Sequence, residues 1–241
     1  MRPLFLYLKS LSSSCHCEKD VLMTRIWQQI NQAQAALVEQ VGQSVVRIYS
    51  GDDGIGAGMV WQADGIIVTN AHVVADRNGL RQNLAVELRD GALFDAQVLG
   101  YDLRGDVAVL HIDENNLAPV SAKYDVQLQP GQYVMALGHP WGMVDAVTGG
   151  VVIGTGNNLP ELRDHRNWIA LDLKMRPGHS GGPLFNAFGQ IVGMNTMIQG
   201  PEVSFAIPAG VIQSYVDDVL TQGVPDTQAA SYQPDDDVTL V

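Results

Sequence analysis

The chain has 241 residues, of which 46 % are hydrophobic and 17 % are charged, a composition typical of a globular domain with a substantial core. Its formal net charge of −12 at pH 7 excludes a nucleic-acid-binding role, because no basic patch could neutralise many phosphates. The same charge disfavours binding to an anionic membrane surface. Cys15 and Cys17 are the only cysteines in the sequence, so we expect neither a disulfide framework nor a zinc site.

The N-terminal region is ambiguous. Residues 1–9 contain an apolar run shorter than the roughly 7–15 residues of a signal peptide and the roughly 18 of a membrane span. We therefore expect no membrane span and treat 1–22 as an N-terminal extension, with Met23 as an alternative start of the protein. The cellular compartment stays open between cytoplasm and periplasm.

A helix is predicted over residues 25–41, where apolar side chains recur at helical spacing. Its stripe has two interpretations: packing against the rest of the domain, or contact between subunits of an oligomer. The stripe contains Ile26, Ile30, Ala33, Leu37 and Val41.

Short segments rich in β-branched residues and bounded by Gly, Pro, Asn or Asp follow this helix, as is typical of strands. Many short strands with glycine-rich turns favour a barrel or sandwich over a parallel sheet with crossover helices. The fold class is therefore all-β. The predicted strands are 45–49, 66–70, 84–88, 107–112, 133–138, 147–154, 191–195 and 203–208.

The chain ends with a second predicted helix and a polar tail. The helix covers 209–221 and is stopped by Gly223 and Pro225, and the tail covers 223–241. Because the tail is acidic and too polar for a core, we expect disorder there. Its last four residues, VTLV, alternatively match an apolar C-terminus that a PDZ domain binds by strand addition. The helix stripe comprises Val211, Ile212, Tyr215, Val219 and Leu220.

The segment RPGHSGGPLFN, residues 176–186, contains a serine between Gly178-His179 and Gly181-Gly182. A nucleophilic serine needs a tight turn in which amide N–H groups converge where an oxyanion forms, and glycines supply the required dihedral angles. Such a serine also needs a base and an orienting carboxylate. His72 follows the apolar run IIVTNA, and Asp106 precedes the strand VAVLHI. The three residues are Ser180, His72 and Asp106.

These segments resemble the GxSGGPL, TNxHVV and DxAVL motifs of trypsin-like serine proteases of the HtrA/Deg family, in the order His, Asp, Ser. Further similarity at 56–60, 136–142 and 191–208 extends the resemblance to about residues 40–220. The resemblance implies a double six-stranded β-barrel with an N-terminal helix and a closing C-terminal helix. It implies no metal or organic cofactor.

The resemblance also assigns roles. Ser180 is the nucleophile, His72 the general base, and Asp106 the residue that orients the imidazole. The backbone N–H groups of Gly178 and Ser180 form the oxyanion hole, with His179 linking them through its backbone and pointing its side chain to solvent.

The substrate pocket is less specified. Lys174 lies six residues before Ser180, where trypsin-like folds place the floor of the primary pocket. It either lines this pocket and repels basic substrates, or points to solvent beside an ordinary apolar pocket. The other candidate pocket residues are Met194, Asn195, Ile198 and Ala206.

By resemblance, the chain is an ATP-independent serine endopeptidase that cleaves unfolded or exposed protein segments, as in protein quality control. We expect a bare protease domain over 23–222 without a PDZ domain, and trimers built through the N-terminal region are possible by analogy with the family. The alternative is a proteolytically silent trypsin fold that binds peptides or acts as a chaperone.

Overall fold

The computed structural model describes residues 5–51, 54–76, 78–156, 167–199, 203–222 and 238–240. Within them lie two seven-stranded antiparallel sheets, one two-stranded sheet, three α-helices and one 3₁₀ turn. The α-helices are α1 Phe5–Gly42, α2 Ala71–Val74 and α3 Ala209–Gln222, and the 3₁₀ turn is Pro140–Gly142. The strands are β1 Val45–Ser50, β2 Gly54–Val60, β3 Ile66–Thr69, β4 Ala75–Asp76, β5 Gly79–Leu80, β6 Ala85–Glu87, β7 Leu93–Asp95, β8 Gln97–Asp102, β9 Val107–His111, β10 Tyr133–Gly138, β11 Ala146–Gly156, β12 Trp168–Asp172, β13 Pro183–Asn186, β14 Ile191–Gln199, β15 Val203–Pro208 and β16 Val238–Leu240.

The two large sheets curve into barrel-like units. The first has the order β7-β6-β1-β2-β3-β9-β8, and its two end strands are separated in sequence by Ala96 alone, so the sheet curls round until its ends meet there. The second has the order β13-β10-β11-β12-β15-β14-β16, and an additional β13–β14 pairing closes its first six strands into a barrel. The prediction of an all-β fold with two barrel units and flanking helices is confirmed.

Three apolar clusters stabilise this arrangement. One fills the N-terminal sheet, a second fills the C-terminal barrel, and the third joins both sheets to α3. Met59 and Val109 from the first sheet, Phe185 and Phe205 from the second, and Ile212 from α3 belong to that joining cluster. This shared core fixes the position of one unit relative to the other. It therefore also fixes the loops from the two sheets that meet at the cleft between them.

The N-terminal helix is longer than the sequence predicts, because α1 extends over 38 residues and continues without a break through the predicted boundary between residues 22 and 23. Leu37, Val38 and Val41 pack on the joining cluster, whereas Ile26 and Ile30 are each 38 % exposed. The packing interpretation of the stripe is wrong for this part, since the helix extends past the surface it contacts. Within the described ranges, no helix combines the length and apolar character needed to cross a membrane.

The C-terminal helix begins and ends within one residue of its predicted bounds, but two members of its predicted stripe are misplaced. Ile212, Val216 and Val219 are buried, whereas Val211 and Leu220 are exposed. Each misplaced residue is one position from a buried one, which turns its side chain by about 100° on the helix surface.

The predicted disorder of the tail is wrong for residues 238–240, which form β16 and pair antiparallel with β14. Residues 223–237 and 241 lie outside the described residues, as do residues 157–166.

Replacing Phe185 by Ala should lower the free energy of unfolding by about 3–5 kcal/mol, because the ring is fully buried in the joining cluster and its loss leaves a cavity. Phe188→Ala is the matched control, since Phe188 is 79 % exposed and its loss should change stability by less than about 0.5 kcal/mol. Urea unfolding of both variants measures the difference, and equal stability losses would contradict the joining role of the cluster.

Candidate active site

Three side chains from separate segments meet where the two sheets face each other. His72 lies on the single turn of α2, Asp106 in the turn before β9, and Ser180 in the turn between β12 and β13. His72 Nδ1 lies 2.9 Å from Asp106 Oδ1 and 3.0 Å from Oδ2, and His72 Nε2 lies 2.9 Å from Ser180 Oγ. A continuous hydrogen-bonded chain therefore joins carboxylate, imidazole and hydroxyl.

Asp106 is held by donors from both units of the fold. Its carboxylate accepts hydrogen bonds from the His72 backbone N–H at 3.1 Å and from the Thr196 hydroxyl on β14. Its own backbone is in the left-handed region, with φ +54°, and its carbonyl accepts a hydrogen bond from Asn70 Nδ2 at 2.9 Å. Asp is one of the few non-glycine residues that tolerate this conformation. The carboxylate is 6 % exposed, so these donors fix it in place with little help from solvent.

Backbone amides around Ser180 alternate between bonded and unbonded. The N–H groups of His179 and Gly182 donate to Arg176 O and His179 O, both at 3.0 Å, and Gly181 N–H donates to Asn195 O at 3.1 Å. The N–H groups of Gly178 and Ser180 donate to no acceptor among the described residues.

The turn that carries Gly178 is of type II, since Pro177 occupies its second position and Gly178, with φ +101°, its third. A Cβ at Gly178 would lie 2.7 Å from Pro140 Cα, so only glycine fits both the conformation and the space. The two unbonded amides leave a pair of donors available beside the serine.

Gly181 allows the N-terminal sheet to hold the serine backbone. Ala57 N–H on β2 donates to Ser180 O at 2.8 Å, and Ala57 O accepts the Thr69 hydroxyl at 2.7 Å. Gly181 has φ +81°, and a Cβ there would lie 2.1 Å from Ala57 O. The glycine after Ser180 is therefore required by the close approach of the two sheets.

His179 is buried, with 1 % exposure, so the expectation that its side chain faces solvent is wrong. The imidazole folds back on its own turn: Nδ1 lies 3.2 Å from Arg176 N and 3.1 Å from Arg176 O. Burial lowers the pKa of His179, which keeps the ring neutral so that Nδ1 can accept the Arg176 N–H. The side chain thus supports the turn that presents Gly178.

A second turn packs against the turn that carries Gly178. His139 N–H donates to Gly178 O at 2.8 Å, and the Arg176 guanidinium lies 5.1 Å from the centre of the exposed Trp141 ring. His139 is buried, and this burial lowers its pKa. The Gly138–Gly142 segment therefore supports the turn that carries Gly178 and Ser180.

The five candidate pocket residues do not line one pocket. Met194 belongs to the joining cluster and Ala206 to the C-terminal barrel cluster, because Asn195, the neighbour of Met194 on β14, is the residue opposite Ala206 and adjacent strand residues face opposite sides. Lys174 is exposed, which favours its solvent-facing interpretation. Ile198 pairs in β14, and its side chain lies outside the described residues.

Sequence reasoning assigned Asn195 to the pocket, but its side chain has a structural role. Its Nδ2 donates to Leu137 O and Pro183 O, both at 3.1 Å, and so ties β14 to the neighbouring strands. Sequence reasoning missed Thr196 and Asn70. Polar residues directly after apolar strand segments, N-T at 195–196 and T-N at 69–70, are the signals that could have found them.

These features define a class: a two-sheet β protein with a His-Asp-Ser chain in the cleft between the sheets. A family model described as a trypsin-like peptidase domain matches residues 56–194, which is more than half of the chain. The chain therefore belongs to the trypsin-like peptidase family, in its HtrA/Deg branch.

Curated relatives and solved structures agree. The chain is 38 % identical over 180 residues to Protease Do-like 1, chloroplastic, of Arabidopsis thaliana, covering 70 % of this chain and 40 % of the relative. It is 36 % identical over 196 residues to Serine protease HTRA1A of Danio rerio, covering 76 % and 40 %. The HtrA-type protease AlgW with tripeptide superposes with a TM-score of 0.71 at 30 % identity, over 78 % of this chain and 64 % of that one. The chain thus spans about two fifths of the length of these curated relatives.

Thr196→Val should lower kcat/KM by about 10- to 100-fold, the value of one hydrogen bond to a buried carboxylate, because Asp106 loses its donor from β14. Thr155→Val on the exposed part of β11 is the matched control and should be unchanged. Hydrolysis kinetics of both variants test this, with thermal unfolding to show that each is folded. Wild-type kinetics for Thr196→Val would show that the hydroxyl is not needed to orient Asp106.

His179→Ala should slow the reaction of Ser180 with a fluorophosphonate by about 10-fold, the value of one lost turn-supporting hydrogen bond, whereas His179→Asn should retain most of the rate. The Asn side-chain oxygen can accept the Arg176 N–H as Nδ1 does, and Ala cannot. The rate of labelling by a fluorophosphonate probe is the measurement. Equal rates for the two variants would mean that the imidazole only fills space.

Proposed function

We propose that this chain is a serine endopeptidase in which Ser180 is the nucleophile. One observation carries the proposal: the Asp106–His72–Ser180 hydrogen-bond chain ends beside two backbone amides that have no acceptor among the described residues. Membership of the trypsin-like peptidase family supports it.

Each group then has a step. His72 Nε2 accepts the Ser180 hydroxyl proton as Oγ attacks the scissile carbonyl carbon, and the resulting imidazolium donates that proton to the leaving amine. Asp106 accepts a hydrogen bond from His72 Nδ1–H. It stabilises the imidazolium in this way and keeps its own negative charge. The amine leaves and the acyl group stays bonded to Ser180 Oγ. Water then attacks the acyl carbonyl carbon while His72 Nε2 accepts a water proton, and the imidazolium donates that proton to Oγ as the Oγ–acyl bond breaks, which releases the carboxylic acid and regenerates Ser180.

The developing oxyanion is stabilised by Gly178 N–H and Ser180 N–H. Losing one such donor costs about 3–4 kcal/mol of transition-state stabilisation. Because His179, Gly181 and Gly182 have their own acceptors, the two free donors do not have to rearrange when the oxyanion forms. His179 contributes the backbone that links them and the side chain that supports the turn.

The substrates we propose are unfolded or exposed polypeptide segments. Solved structures of the similar protease AlgW contain a tripeptide and a decapeptide, which fits a cleft that takes extended chains. We propose that this cleavage needs no ATP, since the residue roles proposed for Ser180, His72 and Asp106 involve no nucleotide, and that it serves protein quality control.

We also propose that α1 mediates assembly into an oligomer, in keeping with the possible trimer. Trp27 is 59 % exposed and Leu22 59 % exposed on a helix whose first half lies beyond the domain surface. Trp27→Glu should convert the oligomer to a monomer in light scattering coupled to size exclusion. A monomeric wild-type protein would overturn this assembly.

Ser180→Ala should abolish fluorophosphonate labelling and casein cleavage, lowering kcat by about 10⁶-fold, while the fold is kept. Ser214→Ala, an exposed serine on α3, is the matched control and should behave as wild type. Labelling of wild type without cleavage of casein would support Ser180 as the nucleophile and contradict the proposal that unfolded polypeptides in general are substrates. No labelling of wild type would overturn the endopeptidase and favour the silent peptide-binding alternative.

A further inference from the structure

Two segments share one edge of β14. β15 pairs along the opposite edge over Gly193–Gln199. On the edge in question, the first half pairs with β13, with Pro183 opposite Met194, and the last part pairs with β16, with Met197 opposite Leu240 and Gln199 opposite Val238. The edge therefore opens after β13 and is covered again by the chain's own residues 238–240.

The gap between these two pairings lies at the catalytic groups. Asn195 O accepts the N–H of Gly181, the residue after Ser180, and the Thr196 hydroxyl donates to Asp106. β16 begins its pairing at the next residue, Met197. The β14 residues that pair with β16 are thus continuous with those that hold the serine and the aspartate.

The direction of β16 is that of the acyl half of a substrate. Since β14 runs away from Ser180 and β16 is antiparallel to it, the order Val238, Thr239, Leu240 runs toward Ser180. A polypeptide acylates the serine through the carbonyl of the last residue on its N-terminal side. A peptide in the register of β16 therefore brings its following residues to Ser180 Oγ in the correct chain direction.

We propose that the edge of β14 over Met197–Gln199 binds residues 238–240 of the same chain, and that this segment competes there with the acyl side of substrates. The inference rests on the proposed endopeptidase function. The 15 residues between α3 and β16 can span up to about 50 Å when extended, which is enough to return the segment in cis. Val238 and Thr239 are β-branched and favour an extended conformation.

A three-residue strand binds weakly, but its attachment to the same chain gives it an effective concentration of about millimolar. The segment therefore raises the concentration of substrate needed for half-maximal rate without blocking the site. Longer extended substrates, which pair with more of the edge, displace it.

The test compares two full-length double variants. In an antiparallel pair, successive N–H groups point to opposite sides, so Thr239→Pro with Leu240→Pro removes whichever amide faces β14. Thr239→Ala with Leu240→Ala keeps both amides and is the matched control. Against a short fluorogenic peptide, the proline variant should show a KM about 3- to 10-fold lower than wild type with kcat unchanged, as expected when a tethered competitor is lost. The alanine variant should stay near wild type.

Adding the pentapeptide Asp-Val-Thr-Leu-Val in trans to the proline variant should raise KM again, competitively. Equal KM values for wild type and the proline variant would overturn the competition. A wild-type KM that rises with enzyme concentration would overturn the assignment in cis, since the segment would then come from a second copy.

Hydrogen exchange in the Ser180→Ala background separates this inference from the proposed function, because it needs no catalysis. Those amides of Met197–Gln199 that face β16 should be protected with the alanine pair and exposed with the proline pair, whereas those that face β15 should stay protected with both. Protection together with inactive wild type would mean that the docking stands and the endopeptidase fails. Equal exchange in both variants would overturn the docking itself.

Discussion

The site depends on one buried carboxylate. Burying the charge of Asp106 costs several kcal/mol unless donors compensate it. The compensating donors come from His72 on α2, which follows β3 of the first sheet, and from Thr196 on β14 of the second sheet. Because these donors belong to different units, the carboxylate is satisfied only when the two units are packed together. The joining cluster that includes Phe185 and Phe205 holds the two units in that position. The packing that stabilises the core therefore also fixes the geometry of the site.

Glycines supply the other half of the design. At Gly181 the absent Cβ lets Ala57 on the first sheet bond the Ser180 carbonyl. At Gly178 the positive φ permits a type II turn. The Gly178 N–H of this turn donates to no acceptor among the described residues. The serine is therefore held from the first sheet through its carbonyl, while its N–H and that of Gly178 have no acceptor in the part of the chain that the structure describes. The motif GHSGG therefore contains both glycines. A side chain at Gly178 would collide with Pro140, and a side chain at Gly181 would collide with Ala57.

Much of this could be predicted from sequence because local chemistry determines it. The strands 133–138 and 203–208 were predicted at their observed bounds, and the fold class followed from β-branched segments between turns. The three residues that meet in the cleft were found because a nucleophilic serine demands a base and a carboxylate and because the segments around them resemble the motifs of the HtrA/Deg family. What failed depends on distant packing. The exposure of Val211 and Leu220, the burial of His179 and the partners of Asn195 are set by which surface each residue meets in three dimensions. The pairing of 238–240 with β14 joins segments about forty residues apart along the chain, and no local pattern specifies such a partner.

A crystal structure of the full chain after reaction with a fluorophosphonate would show directly whether Ser180 is the nucleophile beside the two amide donors. We expect phosphorus bonded to Ser180 Oγ, with the phosphoryl oxygen about 2.7–3.1 Å from both Gly178 N and Ser180 N and with His72 Nε2 still beside Oγ. An adduct on another residue, or a phosphoryl oxygen turned to solvent with Gly178 N–H bonded elsewhere, would contradict it.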